Sequence, residues 1–101
     1  MALLERHIQK IRASNLIKEW EQSWIALEKR LGGFPDKRYY ELVSGTDPMG
    51  TMVWEREWET FATMDAAYQR MFQDPEASRL GARAHEVITE ERLEYYAVRD
   101  I

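Results

Sequence analysis

Apolar and polar residues alternate along residues 52–58 and then change to a helical period. One face of the extended segment carries Met52, Trp54, Arg56 and Trp58, because alternate residues of a strand share a face. After Thr60 the spacing 0, 3, 7, 10, 11 is the stripe of an amphipathic helix, formed by Phe61, Met64, Tyr68, Met71 and Phe72. The pattern predicts a strand that leads into a helix, with Thr60 as its N-cap.

The chain before this segment predicts a strand, a helix and a second strand. Residues 3–12 carry apolar groups on both sides, as expected when neither sheet face is fully solvated. Ser14–Asn15 provides N-cap chemistry for the helix, and Gly32–Gly33 ends it. Its apolar stripe contains Leu16, Ile17, Trp20, Trp24, Leu27 and Leu31. Residues 38–44 read as a strand, which the turn formers at 45–50 join to residues 52–58 as a hairpin.

The chain after residue 72 predicts a further helical piece and a last strand. Asp74 and Pro75 interrupt the helix and provide an N-cap and first position for a new start. The same helical spacing then recurs at Ala77, Leu80, Ala84, Val87 and Ile88. Residues 93–98 form the last strand. The order βαββαβ predicts one α+β domain over residues 1–101, a ferredoxin-like fold whose four-stranded antiparallel sheet has both helices on one face.

Large residues occur on both sides of the predicted strands, as in the adjacent pairs Tyr39–Tyr40 and Tyr95–Tyr96. Two helices cover only one face of the sheet, and the other would then expose an unusually large apolar patch. We therefore expect a homodimer in which two open faces pack together. A small-ligand cavity would lie between the sheets or between sheet and helices.

Composition and charge exclude several classes of function. The net charge is −4 with no basic run, which argues against a nucleic-acid or anionic-membrane surface. The absence of cysteine excludes disulfides and thiolate sites. Apolar runs are too short for a membrane span or a signal-peptide core, so we expect a cytoplasmic protein.

Two groups of residues are candidates for chemistry. His7 lies mid-strand beside Glu5 and is a candidate general base oriented by that carboxylate; the alternative is a polar residue near a dimer seam. Trp54 and Trp58 are candidates for an aromatic ligand pocket. Arg56 would hold a carboxylate or phenolate there, and Tyr39 and Tyr68 would donate hydrogen bonds. Core or interface packing explains the same aromatic residues without a ligand.

Cofactor chemistry has no visible basis in the sequence. The two histidines, His7 and His85, lack metal-site spacing, and His85 lies off its helix stripe, as a surface histidine would. No glycine-rich phosphate loop follows a strand. We therefore expect neither a metal nor an organic cofactor.

Residues 52–76 resemble the NIPSNAP-type branch of the dimeric α/β-barrel superfamily, which also contains the antibiotic-biosynthesis monooxygenases. The resemblance rests on Trp54–Glu55 late in a strand, a helix rich in alanine and aromatics, and Asp74–Pro75–Glu76. The first strand departs from the Glu-Leu-Arg-x-Tyr pattern frequent in these proteins. The resemblance implies a dimeric α/β barrel.

Members of that superfamily include cofactor-free oxygenases, haem-degrading enzymes and isomerases. The single asparagine, Asn15, lies at a predicted helix cap and not on the first strand, which counts against haem degradation. The resulting hypothesis is a protein that binds a small apolar or aromatic ligand and catalyses cofactor-independent oxygenation or isomerisation of an aromatic or polyketide-like substrate. The substrate would be deprotonated near His7, and Arg56 or a tyrosine hydroxyl would stabilise its anion. The alternative is a non-catalytic homodimeric structural or interaction module.

Overall fold

A computed structural model describes residues 1–100, and its element order confirms the predicted α+β class. The elements are β1 (Leu3–Ile11), α1 (Ile17–Leu31), β2 (Arg38–Glu41), β3 (Met52–Trp58), α2 (Phe61–Phe72), α3 (Pro75–Ala82), α4 (Ala84–Val87) and β4 (Ile88–Ala97). The strands form one antiparallel sheet in the order β2-β3-β1-β4. This is the ferredoxin-like arrangement that the βαββαβ pattern predicts.

The alternation along β3 separates the two faces of the sheet, as predicted. Trp54, Arg56 and Trp58 are buried under the helices. The register pairs Glu5 with Arg56 and His7 with Trp54, so the odd-numbered residues of β1 share that covered face. The polar side chains of Glu5, His7 and Gln9 on β1 therefore lie inside the molecule.

The helix boundaries confirm two predicted caps and correct a third. The Thr60 hydroxyl accepts a hydrogen bond from the Thr63 amide, and the Asp74 carboxylate accepts one from the Glu76 amide. The predicted cap at Ser14–Asn15 is wrong. Leu16 is the N-cap of α1 and makes no side-chain capping bond, because a turn closed by the Leu16 amide on the Ala13 carbonyl occupies these residues.

Three further details differ from the sequence pattern. Phe61 and Phe72 are 65% and 72% exposed, because α2 packs through Met64, Ala67 and Met71. The second strand ends at residue 41, before the predicted residue 44. The last strand begins at residue 88 instead of 93, since it pairs with β1 along nearly its whole length.

Two apolar clusters fill the space between the helices and the sheet. Residues from α1, α2 and α3 form the first: Leu27, Met71, Ala77 and Leu80. Trp58, Met64 and Ala67 form the second, between β3 and α2. Phe34 and Tyr68 pack against both. No helix within residues 1–100 is long and apolar enough to span a membrane.

Candidate functional site

A cavity of about 150 Å³ lies between the sheet and the helices, beside the two apolar clusters. Its aromatic lining consists of Trp20, Trp24, Tyr39, Trp54, Tyr68 and Phe72. Its polar lining consists of His7, Gln9, Glu21, Glu28, Lys37 and Glu91. A cavity of this volume has room for a molecule the size of benzene. We call this space the inner cavity.

Glu5 anchors the polar groups beneath the inner cavity. It is fully buried and accepts hydrogen bonds from four side chains: His7, Arg56, Trp58 and Tyr68. Burial alone would raise the pKa of Glu5, but the hydrogen bond from His7, the Arg56 charge and the remaining donors lower it to about 2. Glu5 is therefore ionised at neutral pH and is fully occupied by internal partners.

Both ring nitrogens of His7 are held by carboxylates. Nε2 lies 2.7 Å from Glu5 and Nδ1 lies 2.9 Å from Glu91, while the ring stacks on Trp54 with 3.7 Å between centroids. Burial opposes the charged form, but these hydrogen bonds raise the pKa of His7 above its ordinary value. The geometry suits an imidazolium that donates twice. The general-base hypothesis requires a free ring nitrogen, which this arrangement does not provide.

Arg56 lies beneath the wall of the inner cavity and does not line it. Its side chain is 1% exposed, and its guanidinium is 3.0 Å from both Glu5 and Glu28; it also donates to the Tyr68 hydroxyl. The predicted contact of Arg56 with a substrate anion is therefore absent from this geometry, because the guanidinium is buried outside the lining of the inner cavity.

The structure separates the other predicted ligand-binding residues into two groups. Tyr39, Trp54 and Tyr68 line the inner cavity. Trp58 does not: it is 1% exposed in the second apolar cluster, where its indole donates to Glu5. The Tyr68 hydroxyl is engaged by Glu5 and Arg56. Within residues 1–100 the Tyr39 hydroxyl is the phenol of the lining that has no hydrogen-bond partner.

Several lining residues are not evident from the sequence. The helical stripe predicts Trp20 and Trp24 as core residues, yet both line the inner cavity while packing on the first apolar cluster. Glu28 lies next to Leu27 on the buried side of the helix. A charged residue at a buried position could have indicated a residue of the site. Nothing in the sequence around Lys37 indicates that it belongs to the site. Its side chain is 7% exposed and lies 3.1 Å from Glu28, and its ammonium lies 4.5 Å from the centre of the Trp54 ring.

Within residues 1–100 no group of three or more histidine, aspartate or glutamate side chains is arranged to hold a metal ion. Three carboxylates of the site are instead paired with internal cations: Glu5 with Arg56, Glu91 with His7 and Glu28 with Lys37. The site can thus offer hydrogen bonds, charges and aromatic faces to an organic molecule.

Comparison with known proteins shows a fold and no close relative. No protein-family model matches the sequence, and no curated protein is significantly similar to it. Among solved structures, an uncharacterized NIPSNAP domain protein from Burkholderia xenovorans matches with a TM-score of 0.71 at 15% identity, covering 96% of this chain and 94% of that one. A NIPSNAP family protein from Agrobacterium tumefaciens matches with a TM-score of 0.76 at 14% identity, covering 99% and 95%.

A third solved structure with this fold is an enzyme. It is a mutant of SnoaB, a cofactor-independent oxygenase from Streptomyces nogalater, with a TM-score of 0.65 at 12% identity over 99% of this chain and 95% of that one. Identities this low establish the architecture and leave activity open. The chain has the fold of the NIPSNAP-domain proteins, as the resemblance of residues 52–76 predicted.

Proposed function

We propose that this protein binds a small apolar or aromatic ligand in the inner cavity. The observation that carries the proposal is the cavity itself, about 150 Å³ of space walled by six aromatic side chains. Ligand sites are characteristically lined by apolar and aromatic groups with a few placed polar groups, and Gln9, Glu21 and Glu91 occupy that second role here.

The test compares two tryptophans of the same strand and face. Trp54 lines the inner cavity and Trp58 lies outside it. A panel of benzene-sized aromatic compounds is titrated by calorimetry against the parent, Trp54→Phe and Trp58→Phe. Trp54→Phe should weaken binding several-fold, whereas Trp58→Phe should alter stability and leave the Kd unchanged. Equal losses of affinity in both variants would place the ligand elsewhere.

The catalytic form of this proposal is cofactor-independent oxygenation or isomerisation of an aromatic or polyketide-like substrate. It is supported by the shared fold with SnoaB, a cofactor-independent oxygenase. The chemistry needs a proton acceptor and a group that stabilises the resulting anion. The Tyr39 hydroxyl, which has no hydrogen-bond partner within residues 1–100, suits the second role. Glu91 is a candidate for the first role. Burial opposes its charged form, but hydrogen bonds from His7 and Gln9 lower the pKa of Glu91, which weakens it as a base.

Oxygen uptake measures this activity directly. Hydroquinone, a single-ring diphenol that matches the volume of the inner cavity, is supplied to the chelator-treated protein in an oxygen electrode. Uptake that depends on protein and falls in Glu91→Gln would favour the enzyme. Binding of the same compound without uptake would leave ligand binding as the function.

The homodimer remains the proposed assembly. The open face of the sheet has an apolar strip of Ile8, Tyr40 and Val53. Beside it lies the ion pair Arg6–Glu55, at 2.6 Å. Such a surface, with apolar groups and charges of both signs, suits a two-fold contact with a second copy. The alternative, a non-catalytic dimer whose aromatics serve only packing, predicts a filled interior, and the inner cavity favours the ligand-binding function.

A further inference from the structure

We propose that the ligand of the inner cavity is a small protonated amine, with its ammonium group held near Glu21 and Gln9 and its apolar body among the tryptophan rings. This inference rests on the proposed function and names the chemical class of the ligand. It follows from three independent properties of the wall: its charge balance, an unpaired acceptor and its aromatic faces.

The wall of the inner cavity has one carboxylate more than its cations can pair. Glu28 is paired with Lys37 at 3.1 Å, and Glu91 with the His7 imidazolium at 2.9 Å. Directly beneath, Glu5 is paired with Arg56 at 3.0 Å. Glu21 is left over: within residues 1–100 its carboxylate has no ion pair or hydrogen bond, although it is half-buried in the wall. A cationic ligand supplies the missing charge, whereas an anionic ligand would add to the excess.

A buried acceptor in the same wall also requires a donor. Gln9 is 2% exposed, and its Nε2 donates to the Glu91 carboxylate at 2.8 Å. An ionised carboxylate only accepts hydrogen bonds, so this contact fixes which way the amide points. Its Oε1 then has no hydrogen-bond partner within residues 1–100. A ligand N–H satisfies that oxygen, and a carboxylate or ketone does not.

The aromatic faces favour a cation over a neutral donor. The protein's own cations already use the lining in this way, since the Lys37 ammonium lies 4.5 Å and the Arg56 guanidinium 5.0 Å from the Trp54 ring centre. Trp20 and Trp24 meet edge to face at 6.0 Å, and both line the inner cavity together with Glu21. A carboxylate among electron-rich rings is the chemistry that recognises an organic ammonium ion.

The volume limits the size of the amine. About 150 Å³ accommodates one six-membered ring with little to spare. Three probes with one benzene ring and a one-carbon substituent differ in charge: benzylamine is cationic at neutral pH, benzyl alcohol is a neutral donor, and benzoate is an anion. Comparing them on the unchanged protein tests the effect of ligand charge at similar size.

The experiment is calorimetric titration of the full chain with each probe at neutral pH and low salt. Benzylamine should bind at least tenfold more tightly than benzyl alcohol, and benzoate should bind most weakly. Glu21→Gln should reduce the preference for benzylamine to less than threefold. Glu19→Gln, an exposed position of the same helix outside the lining, should leave it unchanged.

The outcomes separate this inference from the proposed function. Benzyl alcohol or benzoate binding as tightly as benzylamine would overturn the amine assignment and support the cavity as a ligand site. Failure of all three probes would overturn both. A Glu21→Gln variant that keeps the full preference would also overturn the amine assignment. The probe comparison on the parent protein decides the matter even where a variant folds poorly.

Discussion

Glu5 is the side chain on which the polar interior depends. It is fully buried, and its donors come from β1, β3 and α2: His7, Arg56, Trp58 and Tyr68. A buried carboxylate is tolerated only when paired charges and hydrogen bonds replace its hydration. The network therefore holds the sheet and α2 in one arrangement, and it fixes His7 at the floor of the inner cavity.

Glu5→Gln should destabilise the fold by about 3–5 kcal/mol, because Arg56 and His7 each lose a charged acceptor in the buried interior. The free energy of unfolding from urea titration measures this. Glu19→Gln, at an exposed position of α1, is the control and should change stability by less than about 0.5 kcal/mol. A similar small change in Glu5→Gln would show that the network contributes little.

The same network sets the pH dependence of stability. The pKa of Glu5 is about 2 in the folded protein against an ordinary 4.5, so its contribution is present above pH 4.5 and is lost as the pH falls toward 2. The expected loss is about 3 kcal/mol. The pKa of His7 is raised above 6.5, so its contribution is present below pH 6.5 and is lost as the pH rises through the folded value.

Urea midpoints measured across the pH range test both the loss of stability at acid pH and the loss at higher pH. The parent should be most stable in weakly acidic solution, with stability decreasing on either side. Glu5→Gln should remove most of the decrease in stability at acid pH. A parent whose stability rises steadily from pH 6 to 9 would contradict the imidazolium assigned to His7.

At the scale of elements, side-chain caps set where α2 and α3 begin. Thr60 lies two residues beyond the end of β3 and caps α2 through its hydroxyl, so the strand period changes to the helical period at that position. Strand ends behave differently: β4 begins five residues before its apolar pattern does, because β1 offers it hydrogen-bonding partners as far as Ile88. A helix cap depends on residues close together in the chain, whereas strand pairing depends on residues far apart in the chain.

Thr60→Ala should cost about 1 kcal/mol, because the Thr63 amide loses its acceptor. Thr60→Ser keeps the hydroxyl oxygen and should remain close to the parent. Thermal and urea unfolding of the two variants measure the difference. An alanine variant as stable as the serine variant would mean that solvent replaces the cap without cost.

At the scale of the whole molecule, one face of the sheet is not covered by helices. It combines Ile8, Tyr40 and Val53 with paired charges, and a second copy is its proposed cover. Val53 lies near its centre, since it pairs with Ile8 on one side and Tyr40 on the other.

Val53→Glu should weaken the proposed dimer at least tenfold, or about 1.4 kcal/mol, because a buried carboxylate would meet its symmetry mate without a partner. Sedimentation equilibrium at several concentrations measures the Kd, and circular dichroism checks the fold. Ala62→Glu, exposed on α2, is the matched control. A parent that stays monomeric at high concentration would remove the dimer from the proposal.

The candidate site was only partly predictable from the sequence. Tyr39, Trp54 and Tyr68 could be proposed as lining because aromatic residues on a covered face must border the interior, and they do line the inner cavity. The same reasoning misplaced Trp58, since alternation assigns a residue to a face and not to a position along it. Trp58 lies two residues beyond Arg56, under α2, and is enclosed in the core.

The sequence by itself determined the order of elements, the face of each β3 residue and the caps at Thr60 and Asp74, because periodicity and capping act between residues near one another in the chain. Only the tertiary structure decided that His7 is flanked by Glu91, 84 positions away, and that Lys37 pairs with Glu28 over Trp54. These contacts depend on strand order, register and helix placement together. The charge of the cavity wall, and with it the class of ligand we propose, is set at that level.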